Sequence, residues 1–548
     1  MILRRFCLLI CILLLMLNSC IVSRQYADIV LYNGKVYTVD KKFSFHESLA
    51  VKNGKVIETG STKAITRKYK TNKSIDLQGK TVYPGFYDGH CHFYHYGLNL
   101  QKADLFGVAS YTEMLQRLKE HQKKFPNGWL TGMGWDQNLW ADKNFPDNKL
   151  LNEAFPDIPV VLSRVDGHAV LLNSEAMRLT GINENTLMNK EEAVWNDGKL
   201  SGVFLENTAD KAKNAVPRPS VESITQLLVK AQENCFAVGL TSVADAGLEK
   251  REITIIDSLQ KQGVLKMKVY AMLNPSEENF ETYVKVGTYQ TDRLHIASVK
   301  LYADGALGSM GALLKNPYSD ADDKTGILAN PVKKLETFCR LAYQNGFQVN
   351  THCIGDSAVN LMLGIYGKLL KGQNDLRWRI EHAQIVSPSD FAVFEKFSVI
   401  PSVQATHATS DMFWAGQRLG EERLKNAYAY KKLLNQNGWI INGTDFPIEN
   451  ISPLLTFYAA VSRKNTNGKP ESGFQIENAL TREEALRSIT IWAAKGAFEE
   501  KEKGSLESGK AADFVVLDGD IMTLPESSLP HVKIIMTFSN GEEVYPLK

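Results

Sequence analysis

Eight short apolar segments, most of them followed by a stretch long enough for a helix, limit what this chain can fold into more than any other feature. They are Thr81–His92, Leu240–Asp245, Lys266–Leu273, His295–Asp304, Gln348–Cys353, Arg377–His382, Val399–Gln404 and Trp439–Asp445. Strands alternating with helices read as βα units of a parallel sheet, and eight of them read as a closed barrel. The expected fold class is α/β, a (β/α)₈ barrel over residues 81–504. One interval breaks the rhythm: about 145 residues separate the first two strands, where a whole βαβ unit needs only ~30. Residues 110–225 are therefore expected to form an inserted subdomain, a lid over the barrel mouth that contributes to substrate binding.

Both ends of the chain read differently. Within the N-terminal segment 26–80, residues 26–60 alternate apolar and polar, with Asn33-Gly34 and Asn53-Gly54 as hairpin signals. Residues 505–548 repeat the pattern around Ala512–Leu517 and Val532–Met536, with Asn540-Gly541. Neither end is long enough to enclose a core, so the two are expected to build one small β-sandwich together.

Residues 1–20 have the form of an export signal: Arg4 and Arg5, an apolar run from Phe6 to Leu17, then Asn18-Ser19-Cys20. The run is short of the ~20 residues that span a bilayer. Leu17 to Cys20 resembles a bacterial lipobox, so the expectation is a periplasmic or cell-envelope lipoprotein anchored to a membrane through acylated Cys20. The other readings are a plain cleaved signal and an uncleaved anchor. Cys91, Cys235, Cys339 and Cys353 remain for the body of the chain, with no CxxC pair among them. They suit neither a disulfide scaffold nor a zinc ribbon.

A composition of 44% hydrophobic and 23% charged residues is that of globular material, and a formal charge of +2 with no Lys/Arg block argues against a nucleic-acid partner. A small-molecule substrate is the expected partner, and a homodimer is the oligomeric state kept in view.

The chemistry falls at strand ends. In Asp88-Gly89-His90-Cys91-His92 the histidines are two apart, so a strand presents both imidazoles on one face. His352, His382 and Asp445 each close a later strand, where barrel enzymes keep reactive groups. Four of only eleven histidines occupy such positions. In Ser298–Asp304, alternation puts Lys300 on the face opposite Val299, Leu301 and Ala303, pointing into the barrel. A lysine there is either paired with Asp304 or a neutral amine that has taken up CO₂ as a carbamate.

These residues, with Tyr83–His90, Gly134-Trp135-Asp136, Asp166-Gly167-His168, Lys300–Gly311 and Ser508–Asp513, resemble the amidohydrolase superfamily. The similarity is to its family-3 branch, typified by N-substituted formamide deformylases, and it covers nearly the whole chain after the signal. The resemblance implies His90 and His92 on one metal, Lys300 bridging as a carbamate, and His352 and His382 on a second metal. It implies Asp445 as the acid/base residue within the ligand set, with His382 beside it at the reacting centre. Such ligands suit one or two divalent ions, zinc foremost, which lower the pKa of bound water to roughly 7. The implied reaction is hydrolysis of a non-peptide, amide-type C–N bond by metal-activated hydroxide.

His168, Trp135, Asp136 and Glu206 are candidate substrate contacts; each reads equally as a structural group. His95 reads as structural, and His407 follows the seventh strand with no ligand spacing to support it. The rival functions are hydrolysis of an ester, lactone or cyclic amidine on the same site, and a catalytically silent surface binding lipoprotein.

Overall fold

The structure, a computed structural model, describes residues 24–546 except 127, 165–168 and 188–189. The export segment with Cys20 and the candidate His168 lie outside the described residues. Two compact units divide the chain: Met1–Phe93 with Gln232–Lys548, and Tyr94–Ala231.

The first unit holds the barrel. Its strands are β1 (Phe86–Cys91), β2 (Leu240–Leu248), β3 (Lys268–Leu273), β4 (Leu294–Tyr302), β5 (Gln348–Cys353), β6 (Arg379–His382), β7 (Ile400–Val403) and β8 (Ile441–Asn442). They pair in that order, every pair parallel. Near-continuous runs such as Val269–Leu273 form strands buried on both faces, as a helix-covered parallel sheet demands. The backbone of β1 meets the end of β8 through Asp445 N–H to His90 O (2.8 Å) and His92 N–H to Phe446 O (2.9 Å). Gly89 and Gly443 permit this approach: a Cβ on Gly89 would meet Ile441 Cγ2 at 2.1 Å, and one on Gly443 would meet the His90 nitrogen at 2.5 Å.

The same unit holds the composite sandwich. One sheet pairs Ile29–Tyr32 with Ser48–Lys52 and Lys73–Asp76, and Ser48–Lys52 with Lys55–Gly60. The other combines Lys35–Tyr37 and Thr81–Pro84 with the C-terminal strands Phe514–Leu517, Ile534–Ser539 and Glu542–Tyr545. Leu49, Val51, Val82, Phe514 and Phe538 share its core, so both chain ends supply the apolar faces that neither could bury alone.

Two local expectations are corrected. Asn53-Gly54 and Asn540-Gly541 take left-handed φ at both residues, as two-residue hairpins require. Asn33-Gly34 does not close a hairpin, because Ile29–Tyr32 and Lys35–Tyr37 go to different sheets. The apolar run 81–92 is also two strands: Thr81–Pro84 pairs with Phe514–Leu517 in the sandwich, and the barrel starts at Phe86.

The second unit, wider than the expected 110–225, is built on a six-stranded sheet from Ala103–Asp104 to Lys199–Leu205. Strand alternation buries both faces: Val160, Leu162 and Leu171 pack in one core, Val161, Val170 and Leu172 in another.

Candidate active site

The histidines and aspartate expected at strand ends meet at the carboxyl end of the barrel. Asp445 Oδ1 lies 3.2 Å from His92 Nε2 and 3.5 Å from His90 Nε2. His382 stands beside them, its ring centroid 4.9 Å from that of His90 and 4.6 Å from that of His352. Both His382 (φ 70°) and Asp445 (φ 62°) adopt left-handed backbone, a conformation costing of order 1–3 kcal/mol that persists where surrounding contacts enforce it. The backbone bond from Asp445 to His90 is one such contact.

Lys300 is buried on β4, as alternation predicts, with Nζ 3.2 Å from His90 Nε2. The alternative pairing with Asp304 does not form. The Asp304 carboxylate instead accepts backbone N–H groups of Leu313, Ile354 and Gly355, at 2.9, 3.0 and 2.7 Å. Burial pushes the Lys300 amine down to about 8, so a neutral fraction exists near neutral pH. Burial, reinforced by the Lys300 charge, lowers His90 to about 4 and His352 to about 3. Burial also places His382 well below its usual range. The imidazoles are therefore neutral at pH 7, the form that ligates metals. Burial opposes ionisation of Asp445, but the surrounding imidazoles of His92, His90, His382 and His407 hold it well below the usual carboxylate range.

Residues that spacing did not single out hold the site in place. Glu381 Oε2 contacts His90 Nδ1 at 2.5 Å, while its Oε1 accepts from Arg379 Nε at 2.6 Å. His382 Nδ1 meets Gln404 Oε1 at 2.7 Å, and His92 Nδ1 meets Ala246 O at 3.1 Å. These contacts fix the rings with Nε2 turned inward. His407 proves to be a site residue: Nε2 lies 3.6 Å from Asp445 Oδ2 and the ring stacks on His382. Asp88 braces β8 through Thr444 Oγ1 at 2.7 Å. The motif signal for Glu381 was its place immediately before His382.

Trp135, Asp136 and Glu206 lie in the second unit. Trp135 is wholly buried in the core of the second unit, with Nε1 donating to Leu162 O. Asp136 caps the turn Gln137–Leu139 and pairs with Arg164 at 2.7 Å. Glu206 is exposed at the first residue of the helix Glu206–Ala215. Cys91 and Cys353 are buried free thiols.

The donor set fits a divalent cation. His90, His92 and Asp445 form one group of convergent donor atoms, and His382, His407 and Asp445 form another. Asp445 Oδ1, His352 Nε2 and His407 Nε2 are buried with no hydrogen-bond partner, the condition a bound ion relieves. A cavity of 410 Å³ opens onto these atoms.

A parallel eight-stranded barrel with histidines and an aspartate converging at its carboxyl end defines a metal-dependent barrel hydrolase. The chain belongs to the amidohydrolase family, whose family model matches residues 73–545. It is 26% identical over 542 residues to the N-substituted formamide deformylase of Arthrobacter pascens, covering 94% of this chain and 98% of that one. It is 28% identical over 543 residues to Protein LONG AFTER FAR-RED 3 of Arabidopsis thaliana, covering 95% and 92%. Its structure is similar to that of an uncharacterized metal-dependent hydrolase from Pyrococcus horikoshii, with a TM-score of 0.78 and 30% identity over 91% of this chain and 99% of that one. The protein is thus a hydrolase acting on carbon–nitrogen bonds.

Proposed function

We propose that the protein hydrolyses an amide-type, non-peptide C–N bond of a small molecule, with Asp445 as the proton-transferring group. The observation that carries this reading is the buried Asp445 carboxylate, set between His92 and His407 with an Oδ1 that lacks a hydrogen-bond partner. A divalent ion, zinc by the mixed His and oxygen donor set, would be held by His90, His92, His382 and Asp445, and would supply Lewis acidity and an acidified water.

Asp445 accepts the proton of the attacking water and delivers it to the departing nitrogen, so the amine leaves neutral. Glu381 and Gln404 keep His90 and His382 in the tautomers that leave Nε2 free as a ligand. Lys300, with its lowered pKa, would take up CO₂: its neutral amine forms an N–C bond as one C=O π bond opens onto oxygen, the displaced N–H proton passes to water, and the resulting carbamate would supply an anionic oxygen donor beside His90. The name of the Arthrobacter pascens relative favours N-formyl compounds as the first substrates to try.

The test is the metal content of the purified protein, coupled to hydrolysis of a panel of N-formyl and N-acyl amines, with esters and lactones alongside. Turnover of amides by metal-loaded protein, abolished by chelation, is expected. Absence of bound metal under replete conditions, or turnover of esters and lactones with none of amides, would overturn the reading.

A further inference from the structure

Beyond the candidate metal ligands, the cavity has a wall of a different character. Leu307, Ile354, Trp414 and Ile448 give it an apolar side. Gly308 lies close under the indole, for a Cβ there would come within 3.3 Å of Trp414 Cη2. Next to this platform stand two carboxylates, Asp411 and Glu449.

Their hydrogen bonds leave part of each unused. Asp411 Oδ2 accepts from Tyr428 OH at 2.8 Å and Gln384 Nε2 at 3.2 Å. Glu449 Oε1 accepts from Ser410 Oγ at 2.6 Å. Among the described residues, neither carboxylate has a lysine or arginine within ion-pair distance, and Lys300 is the one such residue lining the cavity. Asp411 lies one helical turn after His407 on Ala405–Asp411, so both side chains share a face toward the cavity. The same cavity contains Asp445, over nine-tenths buried with Oδ1 lacking a hydrogen-bond partner, which marks it as a place completed by a ligand.

Two part-buried carboxylates with no lysine or arginine partner repel an anionic substrate and favour one that brings its own positive charge. An aromatic platform beside them strengthens that preference, because a cation over an indole face is attracted by the ring. We propose that the cavity selects amides with an apolar, preferably aromatic, body that also carry a cationic group, the body resting on Trp414 and the charge between Asp411 and Glu449. This inference rests on the hydrolytic reading of the site and adds its substrate class.

The experiment compares para-substituted N-formylbenzylamines bearing aminomethyl, hydroxymethyl or carboxymethyl groups, with the metal-loaded full chain. The expected order of kcat/KM is cationic above neutral above anionic, with about tenfold between the first two. That ratio should fall toward one in Asp411→Asn with Glu449→Gln, in protein of unchanged metal content and circular dichroism. Equal rates for the cationic and neutral compounds, or a faster anionic one, would overturn the inference.

A second arm reads binding by calorimetry, using benzyltrimethylammonium, which carries charge but cannot ligate a metal, against benzyl alcohol. If no amide is hydrolysed yet the ammonium binds about tenfold tighter, and Glu449→Gln removes the difference, the substrate class stands and the reaction reading falls. If the two probes bind equally, the substrate class falls whatever the reaction.

Discussion

Glu381 Oε2 and His90 Nδ1 lie 2.5 Å apart, both side chains wholly buried. Since the other Glu381 oxygen is held by Arg379, and Arg379 in turn donates to Gly89 O at 2.8 Å and Ser402 Oγ at 3.1 Å, the orientation of His90 is set by contacts among β1, β6 and β7. Such outer contacts typically change metal affinity by about 10–100-fold when removed. Glu381→Gln is accordingly expected to weaken metal binding by that factor, measured by competition with a chelating dye. It should also lower stability by roughly 3–5 kcal/mol, because Arg379 loses its buried counter-charge. Metal affinity equal to that of the unsubstituted protein would show that His90 needs no such brace.

Lys300 gives a sharper test, because its expected modification is chemical. Lys300→Ala should lose metal and activity together, and millimolar acetate or propionate should restore part of both by supplying a carboxylate where the carbamate would stand. Removing CO₂ during metal reconstitution should lower the metal content of the unsubstituted protein in the same direction. Unaltered metal content in Lys300→Ala would leave Lys300 as a buried amine beside His90 and no more.

Much of this arrangement is legible in the amino-acid order because the determinants are local. Period-two alternation alone turned Lys300 inward and Val299 and Leu301 outward, and apolar runs located all eight barrel strands. What escaped is what depends on long-range partners. Nothing in the composition of Thr81–Cys91 marks the change of sheet. It occurs at Gly85, where a Cβ would meet Thr241 Oγ1 at 2.3 Å, a constraint imposed by a strand 156 residues onward. Asn33-Gly34 has sound turn chemistry, yet its strands diverge because Ile29–Tyr32 finds better partners in Ser48–Lys52 and Lys73–Asp76. Trp135, between glycine and aspartate, reads equally as a pocket wall or a core residue in sequence; its indole is buried in the core of the second unit with its N–H satisfied by Leu162 O.

Away from the active site, Glu499 provides a test of pH dependence. It is buried beneath the barrel, accepts from Tyr87 OH at 3.0 Å and pairs with Lys503 Nζ at 3.1 Å. Burial works to raise its pKa, but Lys503 and His295 bring it down from 4.5 to about 2. A carboxyl whose pKa is depressed by folding contributes stability above its unfolded pKa and loses it as pH falls through the folded value. Its contribution is therefore complete above about pH 5 and gone near pH 2, amounting to about 3 kcal/mol. Glu499→Gln should be less stable by about that amount at pH 7 in urea unfolding, with the gap closing over that window. A gap independent of pH would mean that Glu499 acts through packing and not charge.

His407 is the residue on which the geometry and the motif pattern differ most. The pattern pairs His352 with His382, whereas the donor atoms that gather with Asp445 are those of His382 and His407. The His352 Nε2 lies 3.6 Å from Asp304 Oδ1, and the His407 Nε2 lies 3.6 Å from Asp445 Oδ2; both nitrogens lack a hydrogen-bond partner. A buried imidazole nitrogen without a partner costs roughly 1–3 kcal/mol, a cost recovered when it meets an ion or a substrate. If His407 touches the ion, His407→Asn and His352→Asn should both lower the metal stoichiometry or raise the dissociation constant about tenfold or more, read by equilibrium dialysis. If His407 meets the substrate, His407→Asn should keep its metal and lose about 100-fold in kcat/KM. Metal affinity and kcat/KM both within twofold of the unsubstituted protein would return His407 to the wall of the cavity, leaving the ligand set of the motif pattern as the better description.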